Sequence, residues 1–155
     1  MTTDGRGHHH LNLLAESASG PPVREPVPVV RVSDGRYRLE ATPALVDGCA
    51  AGDVVEVDRD GRVSVIERGG NLAIQSFAER GPFRMDQIDA LREAFAAEGG
   101  LVEFPPHQRF VVVTVAARVG FPRVEAVMDA WSQATGSGWS FGNVYDEQGE
   151  PLHWW

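Results

Sequence analysis

Hydrophobic and polar positions change period several times along this chain, and the changes mark out its elements. Residues 110–115 (FVVVTV) are almost all β-branched or aromatic, with both faces apolar. Such a run predicts a strand at the centre of a sheet rather than at its edge. Before it, Ile88, Leu91 and Phe95 recur at helical spacing and predict a helix over about 85–98, with Asp86 near its start and Gly99-Gly100 as its stop. After it, Pro122 is suited to a first helical turn, and Val124, Val127, Met128, Trp131 and Ala134 form one apolar stripe over about 123–134. Further strands are predicted at 72–79, 101–104 and 139–145.

The order from Asn71 to Asp146 is therefore β-α-β-β-α-β, the pattern of a ferredoxin-like lobe. Right-handed crossovers place both helices on one face of a four-stranded antiparallel sheet, with 72–79 and 109–117 central and 101–104 and 139–145 at the edges. The other face then has to be covered by the rest of the chain, paired in a homodimer, or used for binding.

The first half has a different rhythm. Strands are predicted at 24–32, 37–41, 54–58 and 62–68, with hairpin signals at Asp34-Gly35 and Asp60-Gly61 and a turn-rich segment PALVDGCA between the second and third. Pro26 and Pro28 remove ladder donors, which predicts that the early part of the first strand lies at an edge or outside the sheet. Short strands joined this tightly describe a small bent β-sheet or partial barrel. The fold class expected is α+β: a flexible leader (1–22), a small β-rich lobe (23–69), a ferredoxin-like lobe (70–146) and a C-terminal tail (147–155). A mobile leader implies that deleting Met1–Gly20 shifts the melting temperature only slightly.

Composition narrows the function. The chain has 155 residues and a formal net charge of -8, which disfavours a nucleic-acid partner because phosphate binding needs a basic surface. The absence of a long apolar run argues against a membrane span, and the N-terminus lacks a signal-peptide core, so a cytoplasmic protein is expected. One cysteine, Cys49, excludes an internal disulfide and fits a reducing compartment.

The run from Val32 to Phe77 resembles a bacterial family of uncharacterised proteins, domain-of-unknown-function family 4265. The matching features are Gly35-Arg36-Tyr37-Arg38-Leu39 at a strand, Pro43, the Gly52-Asp53-Val54-Val55 turn into a strand, and the polar turn at Glu67–Asn71. The likeness extends toward Asp146, where members have a helix, an apolar strand, a helix and a Trp-containing last strand. The resemblance implies this fold and a cytoplasmic bacterial setting. It implies no reaction and no catalytic residues.

Candidate chemistry is sparse. His8, His9 and His10 are adjacent, so they share neither a helix face nor a strand face, and no metal site is expected there. Asp47, Asp53, Asp58 and Asp60 lack calcium-loop spacing and read as turn carboxylates. Cys49 has no basic neighbour in sequence and reads as a small buried hydrophobe. No cofactor loop is present, and no cofactor is expected. His107, in the Pro-Pro-His-Gln turn beside the central strand, is the candidate general acid or base, with Glu103 as its carboxylate. Trp139, Phe141 and Tyr145 alternate along the last predicted strand, and Trp154-Trp155 are costly to leave in water.

These features point to a non-catalytic protein- or peptide-binding accessory module of a bacterial pathway, immunity-type or biosynthesis-associated, using Trp139, Phe141, Tyr145, Trp154 and Trp155. The alternative is a small cytoplasmic enzyme of modified-peptide metabolism working through His107 and Glu103. A weaker third reading is a small-molecule sensor that pairs through its sheet.

Overall fold

The computed structural model describes residues 2–3, 8–16 and 20–155. Two antiparallel sheets and two helices make up this α+β chain. The first sheet has six strands in sequence order: β1 (Thr2–Thr3), β2 (His8–Ala15), β3 (Val23–Ser33), β4 (Arg36–Leu39), β5 (Val54–Val57) and β6 (Val63–Glu67). The second is built from β7 (Asn71–Phe77), β8 (Leu101–Glu103), β9 (Phe110–Ala116) and β10 (Ser140–Phe141), in the spatial order β10-β7-β9-β8. Helices α1 (Met85–Ala96) and α2 (Phe121–Thr135) complete the chain.

The second sheet follows from its alternation. Leu72 and Ile74 of β7, Val102 of β8, and Val111, Val113 and Val115 of β9 face one side. There they meet Ile88, Leu91 and Phe95 of α1 and Val124, Val127, Met128 and Trp131 of α2 in a single core, so both helices lie on the same face. β7 and β9 are central, as the succession of elements predicts and, for β9, the two-sided apolar pattern as well. Gly136 closes α2 in the left-handed region (φ 72°), a conformation that glycine adopts without a Cβ penalty.

The opposite face of this sheet, through which a homodimer was one expectation, is occupied by the chain's own segment 42–51. Thr42 and Thr114 share a 2.6 Å hydroxyl hydrogen bond, and Gln75 Nε2 donates to the Pro43 carbonyl. Asn71 Nδ2 donates to the Ala51 carbonyl, and Gly48 N–H donates to the Gly142 carbonyl. These polar contacts join the two sheets and cover that face around Ala73, Gln75 and Thr114, whereas Phe77 and Leu101 on the same face stay exposed.

Two expectations are corrected and one is met. The leader is not all flexible. Residues 8–15 pair in full register with β3, and Leu13 (0% exposed) and Ala15 are buried with Val27, Val29, Leu39 and Val55. The alternation Leu11-Leu13-Ala15 supplies an inward face to a segment whose composition reads as a tail. The remainder of the expected leader that falls on 1, 4–7 and 17–19 lies outside the described residues.

As Pro26 and Pro28 predict, the early part of β3 is an edge: among the described residues 23–28 pair with β2 alone, and only from Val29 onward does β3 lie between β2 and β4. The Pro28 carbonyl accepts from Glu40 N–H on the β4 side, so backbone groups of this parity point away from β2. The β4 ladder ends at Leu39, so neither proline nitrogen has to serve it.

The last strand is much shorter than 139–145. Gly142 N–H still donates to Ala73 O, but Ala73 N–H then donates to the Asn143 side-chain oxygen, and Asn143 Nδ2 donates to Asn71 O. A side chain has replaced the ladder, and the backbone turns away.

The first sheet curls until Leu14 N–H donates to Gly61 O at the β5–β6 turn. Its interior holds Leu13, Val27, Val29, Leu39 and Val55, plugged by Val46 and Cys49 from the connecting segment. The sheets meet backbone to backbone at Gly52 and Gly69, where a Cβ on Gly69 would lie 2.4 Å from the Gly52 carbonyl carbon. Gly69→Ala is therefore expected to cost about 1–3 kcal/mol through forced separation of the two connections. Urea denaturation checks this: the midpoint should fall, and an unchanged midpoint would show that the two connections move apart freely.

Candidate functional site

The junction between the sheets contains a buried polar network. Asp53, 1% exposed, accepts from Ala50 N–H and Gly69 N–H, and Arg68 lies 3.6 Å from its carboxylate. Burial pushes the Asp53 carboxyl up, against the pull of the two N–H donors and of Arg68. Arg68 also donates to Gly48 O and lies over the Trp154 ring, 5.4 Å from its centre. Trp154 Nε1 donates to the Asn143 carbonyl, which carries the network into the C-terminal segment. Cys49 is enclosed nearby, and burial, with Asp53 adding to it, raises its thiol pKa to about 12. It is an inert hydrophobe at neutral pH. With its polar groups engaged inside the protein, this network is a fastening rather than a reactive centre.

Beside it an open cleft runs between the mouth of the first sheet and the C-terminal hairpin. One part, about 800 Å³, lies between the end of β2, the segment Leu45–Asp47 and the start of β6. The adjoining part, about 600 Å³, is bounded by Val65, Arg68, Phe141, Tyr145 and Leu152. Asp47, Val63 and Glu147 line both. Glu16, Asp47, Asp146 and Glu147 give the walls an acidic excess over Arg62 and Arg68. Both arginines are already engaged, Arg62 with Glu16 at 2.6 Å and with Asp60, and Arg68 with Asp53. Partial burial pushes the Asp47 carboxyl up.

A cluster of aromatic rings adjoins the cleft at Phe141. Trp139 meets Phe141 at 5.1 Å between ring centres, Phe141 meets Phe121 at 5.4 Å, and Phe121 meets Trp155 at 5.2 Å, each edge to face. Trp154 completes the group against Trp155. Such edge-to-face pairs add stability beyond the area they bury. Trp139 Nε1 donates to Asp129, so this ring is held to α2. Trp155 remains 44% exposed.

Four of the five predicted binding aromatics are thus gathered. Tyr145 is not with them: the chain turns at Asn143, and Tyr145, exposed, forms an isolated bridge with Pro151 on the cleft wall. Phe121 completes the ring cluster and went unnoticed in the sequence, since as the first residue of α2 it shows no alternation with the other rings.

His107 and Glu103 are not brought together. The His107 Nδ1 accepts from Arg109 N–H at 3.1 Å, which turns the imidazole back on its own turn, against the Phe110 ring. Gln108, in the left-handed region (φ 56°), ties that turn to Phe83 through a side-chain and a backbone bond. Glu103 is exposed on β8 opposite Val112, and its carboxyl is pushed up by partial burial. Neither residue lines the cleft. In the histidine tract, His9 faces inward against Tyr37 while His10 is exposed. Among the described residues no three His, Cys, Asp or Glu side chains converge as a metal site would require. Among the described residues no helix is long and apolar enough to cross a membrane.

A family model described as "Domain of unknown function (DUF4265)" matches residues 25–139. A solved structure described as a hypothetical protein from Neisseria gonorrhoeae is similar in fold, with a TM-score of 0.68 and 14% identity, over 86% of this chain and 92% of that one. No curated protein matches the chain.

Proposed function

We propose that this chain, which belongs to the domain-of-unknown-function family 4265, is a non-catalytic module that recognises a protein or peptide partner. The observation that carries this reading is the aromatic cluster ending in exposed Trp155 and opening at Phe141 into an acidic-walled cleft. Aromatic anchors beside a solvent-accessible groove are the usual centre of binding energy in protein recognition. A cleft of several hundred cubic ångströms is large enough to take a few residues of an extended segment. On the same reading the two units are a partial barrel and a ferredoxin-like lobe, and the setting is a bacterial cytoplasm. The fold supplies the scaffold alone and does not speak for a function.

Selection from a displayed library of random short peptides tests the reading. Enriched peptides are expected to bind the purified protein and to lose roughly tenfold or more of their affinity on Trp155→Ala or Tyr145→Ala, both exposed positions whose truncation leaves the core intact. Selection that enriches nothing, or peptides indifferent to both substitutions, would overturn it. The enzymatic alternative through His107 and Glu103 draws no support from this cleft, which neither residue lines.

A further inference from the structure

Edge strands invite pairing, and proteins usually blunt them by shortness, proline or charge. In this chain β1 and β10 are two residues long and β8 is three. The edge strand β6 is different: its sequence, VSVIE, runs five residues with neither proline nor a basic side chain, and Ile66 is exposed. Among the described residues its one partner in the sheet is β5.

Which backbone groups it leaves open follows from the phase of the ladder. Residues directly opposite in an antiparallel pair alternate between hydrogen-bonded and non-bonded positions. Asp58 N–H donates to Arg62 O, so 58 and 62 are a bonded pair. With Ser64 opposite Glu56 and Val63 and Val65 opposite Val57 and Val55, Ser64 then bonds to β5, and Val63 and Val65 aim their N–H and C=O groups away from it. Among the described residues neither valine has another backbone partner. Both valines line the cleft described above, whose far wall carries Asp47 and Glu147. No arginine forms an ion pair with either acid among the described residues.

We propose that the outer edge of β6 takes up an extended segment of a partner as an added strand, and that this segment is basic, its Lys or Arg side chains reaching Asp47 and Glu147. Main-chain hydrogen bonds to Val63 and Val65 supply the register, and the acidic wall supplies the selectivity. This proposal rests on the binding-module reading and names the class of ligand and the mode of its capture. A cation placed beside Asp47 also offsets, by its charge, the desolvation that now disfavours the ionised carboxylate.

The test uses the full chain and defined probes: fluorescein-labelled peptides of about eight residues, alternating lysine with valine or glutamate with valine, titrated by anisotropy at ~0.15 M salt. The lysine peptide is expected to bind at least about tenfold more tightly than the glutamate peptide, and Asp47→Asn with Glu147→Gln should narrow that ratio. Two N-methylated forms of the lysine peptide carry the decisive comparison, one blocked at every lysine amide and one at every valine amide. An added strand turns only one of these sets toward β6, so one form should lose roughly tenfold or more and the other about twofold or less. Val65→Pro removes an outward N–H but no β5 bond, and should mimic the damaging methylation; if that variant fails to fold, the peptide pair on the unaltered protein decides. Equal responses to the two methylations overturn strand addition. If library-selected peptides still bind in a Trp155-dependent way, the binding-module reading stands without it.

Discussion

Removing residues 1–16 should melt the first sheet. The segment contains β2, whose eight residues pair with β3 from His8↔Val30 to Ala15↔Val23. Leu13 is wholly buried, and truncating one such leucine to alanine costs about 2–5 kcal/mol. The deletion removes Leu11 and Ala15 as well, strips the ladder from one side of β3, and breaks the Leu14–Gly61 bond that curls the sheet. A total beyond about 5 kcal/mol is comparable with the whole stability margin of a domain. The truncated protein is expected to melt more than ~15 °C below the full chain, or to be unfolded at room temperature. Circular dichroism melts of the two proteins check this. A shift of a degree or two would show that β2 is an attachment to the fold rather than part of it. Leu13→Ala, with an expected loss at the lower end of the same range, separates the core contribution from the pairing.

Trp131→Ala should be the most damaging single substitution in the second unit. The ring is buried between α2 and the sheet, 4.6 Å from the centre of Phe83 and edge-on to it. Its Nε1 donates to Ser76 Oγ, and Ser76 donates in turn to the Gly138 carbonyl. Alanine therefore opens a large cavity and breaks a buried chain of hydrogen bonds that holds β7 to the segment after α2. Such truncations cost about 3–5 kcal/mol, here a fall of roughly 10 °C or more in melting temperature. An alanine-lined groove between α1 and α2 lies over this ring. If Trp131→Ala left stability intact and instead abolished association with a partner, the ring would belong to that groove's contacts and the assignment of the core would have to change.

The helices and the two central strands of the second unit were legible because burial there follows local period. Ile88, Leu91 and Phe95 recur at helical spacing, and Val111–Val115 is apolar on both faces because helices cover one side and segment 42–51 the other. Much of the candidate site was also visible residue by residue: Trp139, Phe141, Trp154 and Trp155 stand out as rings too large to leave in water. Their gathering around Phe121 was not visible, because it depends on where α2 begins relative to β10.

By itself, the order of apolar periods and turn residues determined the second unit's β-α-β-β-α-β succession and the hairpins of the first. Those are properties of neighbours in the chain, and local sterics and side-chain alternation decide them. Tertiary structure alone decided the rest. It made a strand of residues 8–15, whose few apolar side chains gain burial only because β3 is beside them. It decided that β4 stops opposite Val29, which leaves the proline-bearing start of β3 with β2 as its one described neighbour. It ended β10 at Phe141, because the Asn143 amide satisfied β7 better placed than a backbone could. It also turned His107 back on its own turn, and among the described residues it gave Val63 and Val65 of β6 no backbone partner beyond β5. Each outcome turns on which long-range partner satisfies a backbone or buries a side chain, and that partner lies tens of residues away.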